Sequence, residues 1–184
     1  MSLYTGKGDN GTTKLFDAAP GVRASKASPI FEALGACDEL NTTVGWAKVI
    51  AGELRVGERS CAEILHEVQD HLFTLQAELA GAEKAISKES VEQAEATIHA
   101  IEAELPEITT FLVPGGTELS ARLDMARALS RRAERRVVAV HESGERVMGE
   151  QSLRYANRLS SLLYSLVRLE NHRKEVGESA PRYR

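Results

Sequence analysis

Five stretches of this chain repeat apolar residues every three or four positions, the period of a helix packed on one side. The first, about 30–54, is carried by Phe31, Leu34, Leu40, Val44 and Ala47. The second, about 58–85, has Ile64, Leu65, Val68, Leu72, Leu75 and Leu79 as its stripe. In the third, Val91, Ala94, Ile98, Ile101 and Leu105 alternate the two spacings; Ser90 followed by Gln93 reads as a capping box, and Pro106 stops the helix. The fourth, about 118–142, follows Thr117 as N-cap and turns Leu119, Leu123, Ala126, Ala133, Val137 and Val140 inward. Gly144 and Gly149 break the chain before a fifth, about 151–174, on Leu159, Leu162, Leu163, Leu166 and Leu169. Such segments joined by short turns predict an all-α, five-helix up-and-down bundle of the ferritin-like kind.

At 184 residues one domain is expected: an arm over 1–29, the bundle over 30–174, and a tail, 175–184, whose lack of an apolar stripe makes it a candidate for disorder. The hydrophobic fraction of 42% excludes disorder throughout, and only 5% aromatics with five prolines disfavours turn-rich sandwiches. Net charge is −4, which argues against nonspecific nucleic-acid binding. Yet thirteen of the sixteen arginines lie from Arg122 onward, a cationic concentration suited to some anion. Cys37 and Cys61 make no CxxC, so neither a disulfide framework nor a zinc motif follows. No signal-peptide core and no membrane-spanning run occurs, and a cytoplasmic location is expected.

The segment 1–29 is rich in Gly, Thr, Ser and Lys and lacks a sustained period. Gly6, Gly8 and Gly11 match G-x-G-x-x-G, but only five residues precede them, too few for the strand a dinucleotide fold requires. The P-loop pattern fails too, because Thr12 stands where its lysine belongs. What remains is an anion cradle of backbone N–H groups with Lys7, Lys14 and Lys26 nearby, or a plain flexible arm.

On the fourth helix, Arg127, Arg131 and Glu134 fall within about 60° of one another beside the apolar stripe. Arg132, Arg135 and Arg136 point outward as a solvated face. Arginines at a core's edge usually meet a carboxylate or a phosphate, and Asp38 and Glu39, expected as neighbours on the buried side of the first helix, are candidate carboxylates. Phe111 precedes a Pro-Gly-Gly turn, either an ordinary connection or a functional one. Asn157 and Arg158 interrupt the fifth stripe, where an amide can read a base or bridge helices. Glu63 and His66 form one Glu-x-x-His unit where di-iron bundles need two, so His66 is expected on the helix surface.

The blocks TGKGDNGTTKLFD, RASK, EALGACDELN, FLVPGG, ARALSRRAERRVV and NRLSSLLYSL occur in this order, and together they closely resemble the PduO-type ATP:cob(I)alamin adenosyltransferases over roughly 4–171. The resemblance implies a homotrimer with ATP and Mg²⁺ between neighbouring subunits, and adenosyl transfer to the Co(I) of a reduced corrinoid. It places Thr5, Gly6, Lys7, Gly8, Asp9, Gly11, Thr12 and Lys26 at the nucleotide. Arg131, Glu134 and Asn157 join them, with Arg131 at the phosphates. Asp38 is implied to pair with Arg127 across the subunit boundary, and Phe111 and Ser161 to face the corrinoid. There Phe111 displaces the lower axial ligand, easing reduction of Co(II). Two positions depart from the usual family pattern: Ser161 stands where Asp is common, and Ala27-Ser28 replaces Asp-Asp.

Such chemistry needs no triad, because cob(I)alamin is itself the nucleophile; it needs alignment, and cations for a triphosphate leaving group. A reductase or an adenosylcobalamin-dependent enzyme is a possible protein partner. Two alternatives are a noncatalytic trimer that binds nucleotide or delivers adenosylcobalamin, and a P-loop-type kinase, which requires a parallel sheet.

Overall fold

The computed structural model describes residues 4–183. Pro29 occupies the first turn of α1 (Pro29–Val49), where a missing N–H costs nothing. The helix ends short of 54. A two-residue hairpin, β3 (Arg55–Val56) paired antiparallel with β4 (Arg59–Ser60), takes the chain instead.

Ser60 then caps α2 (Cys61–Leu79): its hydroxyl accepts the Glu63 N–H at 3.2 Å, and the Glu63 carboxylate accepts the Ser60 N–H at 2.7 Å. The cap of α3 (Lys88–Glu102) is Ser87, which accepts the Ser90 N–H at 3.2 Å; the box expected at Ser90 and Gln93 is not formed, because Ser90 already sits in the first turn. Thr117 caps α4 (Glu118–Glu142) as expected, and Gly149 precedes α5 (Glu150–Arg173).

Helix α4 packs against α1 and α5, while α1 also packs on α2 and α5 on α3. Leu40, Leu65, Leu72, Leu123, Leu163 and Leu166 lie in one continuous apolar core. Burying each such leucine stabilises the fold by about 1.5–3 kcal/mol. The strands among the described residues are two antiparallel pairs, which removes the kinase alternative. Cys37 and Cys61 are free and buried, and burial pushes both thiols up to about 12.

One end of the bundle is closed by polar groups. The buried Glu78 carboxylate accepts the Gly149 N–H at 2.5 Å and the Ser152 hydroxyl, which itself accepts the Ile86 N–H at 3.2 Å. These partners satisfy a charge that would be costly alone. Arg146 donates to Leu79 O at 3.2 Å and pairs with Asp17 at 2.9 Å, while the Phe16 N–H reaches Ala80 O at 3.0 Å. The arm is therefore rooted beside the C-terminal ends of α2 and α4.

Candidate functional site

Two turns, closed by Asp9 N–H to Gly6 O and Gly11 N–H to Gly8 O, shape the tip of the arm. Strands β1 (Thr12–Thr13) and β2 (Ala24–Ser25) then pair antiparallel, and the Lys26 N–H extends the ribbon to Gly11 O at 2.9 Å. Arg23 is its clasp: Nε donates to Thr12 Oγ1 at 2.8 Å, and one terminal nitrogen reaches Thr12 O at 2.8 Å and Lys7 O at 2.9 Å. Thr12 Oγ1 donates in turn to Asn10 Oδ1 at 2.7 Å.

The Lys26 ammonium lies over Gly8, where an added Cβ would come within 2.9 Å of Nζ. Gly8 is thus a point of close approach. Thr5, Lys7, Asp9, Lys14 and Lys26 are exposed around this tip. Arg23 lies in the RASK block, yet an arginine that binds carbonyls of its own chain carries no periodic signal.

A cleft of about 860 Å³ opens at the other end of α4. Its helical wall carries Arg127, Arg131, Ser161 and Tyr164, and its loop wall runs from Ile108 to Gly115 with Phe111, 80% exposed. A groove of about 330 Å³ continues along α4, lined by Arg131, Glu134, Arg135 and Val138 among others. Arg131 borders both. Asn157 on α5 donates from Nδ2 to Glu134 Oε1 at 2.7 Å and accepts from Arg158 at 2.6 Å. Arg158 also bonds Glu95 at 2.8 Å, which holds that carboxyl below its usual range.

No arm residue lines the cleft or the groove. From Arg131 to the end of α4 the axis alone covers roughly 16 Å at 1.5 Å per residue, and the arm's root lies past that end.

A sequence profile of the family described as cobalamin adenosyltransferase matches residues 3–170. The chain belongs to that family. It is 38% identical over 182 residues to a corrinoid adenosyltransferase of Bacillus subtilis, covering 97% of this chain and 91% of that one. It is equally 38% identical to the corrinoid adenosyltransferase PduO of Citrobacter freundii over 94% of its own length, but spans only 50% of that longer protein.

Two solved structures of single-residue variants of the PduO-type adenosyltransferase of Lactobacillus reuteri are similar. One is complexed with cobalamin and ATP (TM-score 0.87, 28% identity, 98% of this chain and 97% of that one). The other is complexed with ATP (TM-score 0.84, 28% identity, 98% of this chain and 100% of that one). A helical bundle is therefore the architecture that this cobalamin adenosyltransferase family member shares with them.

Several sequence expectations change. Asp38 and Glu39 are exposed rather than on the buried side of α1, because Ala36, Cys37 and Leu40 fill the inward positions. Within the chain Glu39 pairs with Arg132, which was expected to be merely solvated. Arg127 is part-buried; its ion-pair partner in the chain is the buried Asp124, three residues earlier, and its guanidinium lies 5.7 Å from the Tyr164 ring. The Asp-x-x-Arg spacing on one helix was the available signal for that pair. Arg131 is exposed, so it borders the cleft rather than the core. His66 lies on the helix surface as expected.

Proposed function

We propose that the protein transfers the 5′-deoxyadenosyl group of ATP to the Co(I) of a reduced corrinoid. The observation that carries this is Arg131, shared between an aromatic-bearing cleft and a polar groove on the same helix. A corrinoid in the cleft and a triphosphate in the groove would meet at that residue. The cobalt electron pair attacks C5′, a Co–C bond forms, and the C5′–O bond breaks with its electrons leaving on triphosphate. Arg131 would stabilise the charge developing there. No proton moves between carbon and cobalt, so the cleft needs no general base.

Mg²⁺ would ride on the phosphates. Glu134 offers a carboxylate in the groove but is already bonded to Asn157, and no cluster of three acidic, His or Cys groups occurs among the described residues. On Co(II) Phe111 would press against the lower face and displace the axial ligand. Ser161, smaller than the family's usual Asp, would contact the corrinoid rim from the helical wall.

The arm and the groove belong to one site if a neighbouring copy supplies the arm. Asp38 shares an exposed face of α1 with Trp46 and Val49, and Met125 is exposed on the adjacent α4, surfaces suited to a second copy in a homotrimer. There the Asp38 carboxylate would reach the Arg127 pair of its neighbour. Two buried free thiols suit the reducing cytoplasm.

Anaerobic incubation with ATP and chemically reduced cobalamin tests the activity, the expected result being the adenosylcobalamin spectrum. Nucleotide binding without that product would favour the noncatalytic alternative. Sedimentation of Asp38→Asn tests the assembly: a shift toward monomer is expected, and unchanged sedimentation with unchanged kinetics removes the bridge.

A further inference from the structure

The loop that carries Phe111 joins α3 to α4 and is gripped at both ends by the last turns of α5. Arg168 donates from Nη1 to Pro106 O at 3.1 Å, Asn171 donates from Nδ2 to Gly115 O at 3.2 Å, and Glu170 accepts the Thr117 hydroxyl at 2.9 Å. All three side chains are buried, Arg168 with 7% of its surface exposed. The fit at the second grip is close: Gly116, at φ +137°, would place a Cβ 2.2 Å from Asn171 Oδ1.

Between these grips the loop is a partition with space on both sides. Ile108, Thr109, Thr110 and Leu112 line the 860 Å³ cleft on one side and a second cavity of about 350 Å³ on the other. Phe111 lines only the larger. Packing against the core does not hold such a wall in place. The C-terminal tail holds it instead: the Val113 N–H donates to Ser179 O at 2.9 Å, and Glu178 borders both cavities. Glu178 in turn accepts from Arg168 Nε at 3.2 Å and Nη2 at 3.1 Å. Arg168 therefore uses all three nitrogens to join the start of the loop to the strap across its middle, a geometry that lysine cannot reproduce.

We propose that Arg168 is a positioning residue for Phe111: with Glu178 it fixes the tail as a strap and so sets where the wall between the two cavities stands. Releasing the strap lets the wall move toward the smaller cavity and draws Phe111 off the corrinoid. Misplacement by about 1 Å is enough to cost up to a hundredfold in an aligned reaction. The proposal rests on the corrinoid occupying the larger cleft.

The test compares Arg168→Lys and Glu178→Ala, each alone and combined with Phe111→Ala, in full-length protein checked for folding by circular dichroism. Turnover is measured with ATP and either preformed cob(I)alamin or cob(II)alamin plus reductant, and four-coordinate Co(II) is followed by its absorption and paramagnetic resonance. Both variants are expected to slow the Co(II) route roughly tenfold, raise the cobalamin KM and reduce the four-coordinate signal, with the ATP KM changed less than about twofold. Neither is expected to add a loss once Phe111 is alanine. Equal losses in both backgrounds, or no loss beside an intact Phe111, would overturn the proposal; if Arg168→Lys is unfolded, Glu178→Ala alone decides. Wild-type protein inactive even with cob(I)alamin would defeat the functional assignment instead.

Discussion

The arm and helix α4 both present cations to solvent, but different forces hold them. On α4, Leu123, Ala126, Ala133 and Val137 are buried, so Arg131 stands on a backbone fixed by the core. In the arm no described residue before Ile30 is fully buried; Lys7, Gly8 and Lys26 keep their places through Arg23, two turns and two short strands. Burial makes α4 a platform, and hydrogen bonding to solvent-accessible carbonyls makes the arm, the other half of the proposed site, a clip. Damage to the clip should therefore appear in nucleotide binding, and damage to the platform in stability and in chemistry.

The largest expected break in this contrast is Arg131→Ala, which should lower kcat/KM by about 10²–10³ without changing the melting temperature, because the residue lies outside the core. Near-normal steady-state turnover would remove Arg131 from the phosphates. Leu163→Ala should do the converse, costing about 2–5 kcal/mol in denaturant unfolding while the folded fraction keeps its KM for ATP.

Arg23→Ala sharpens the contrast from the arm's side. The ATP KM should rise roughly tenfold with the unfolding midpoint unchanged, since its three bonds are exposed; a large loss of stability would show that the arm is part of the core's cooperative unit. The smallest effect concerns His71, whose ring nitrogen lies 3.0 Å from the Tyr155 hydroxyl and whose pKa burial lowers. The unfolded chain takes up that proton more readily. Stability present above about pH 6.5 should thus decline as pH falls, and His71→Gln should flatten the melting-temperature slope between roughly pH 7 and pH 5. An unchanged slope would free His71 of that role.

Helix existence was legible because one-sided burial leaves a period in the residues. Its ends were less so. The predicted first helix ran on to about 54, past its end at Val49, and the second began at about 58, inside the Arg55–Ser60 hairpin, because strands of two residues are too short to show a period of their own. The cap of α3 fell one turn earlier than expected because Ser87 and Ser90 both offer hydroxyls and only backbone geometry chooses between them. Of the residues that line the cleft and the groove, Arg131, Glu134 and Phe111 were recognisable from motif and helical angle. Asp124 showed only in its three-residue spacing from Arg127, and Arg23 and Arg168 not at all, because each of these two binds a carbonyl or charge that only folding brings near.

The amino-acid order alone determined that five amphipathic helices would bury one apolar stripe apiece, and that glycines, lysines and arginines would be left outside to meet an anion. That follows from local periodicity and from the cost of burying charge. Tertiary packing decided that Arg132 faces Glu39 and Arg158 faces Glu95, that the cleft and the arm's root lie at opposite ends of α4, and that the tail crosses the loop of Phe111. Those are distances between segments far apart in the chain, and only the closing of the core brings them to a value.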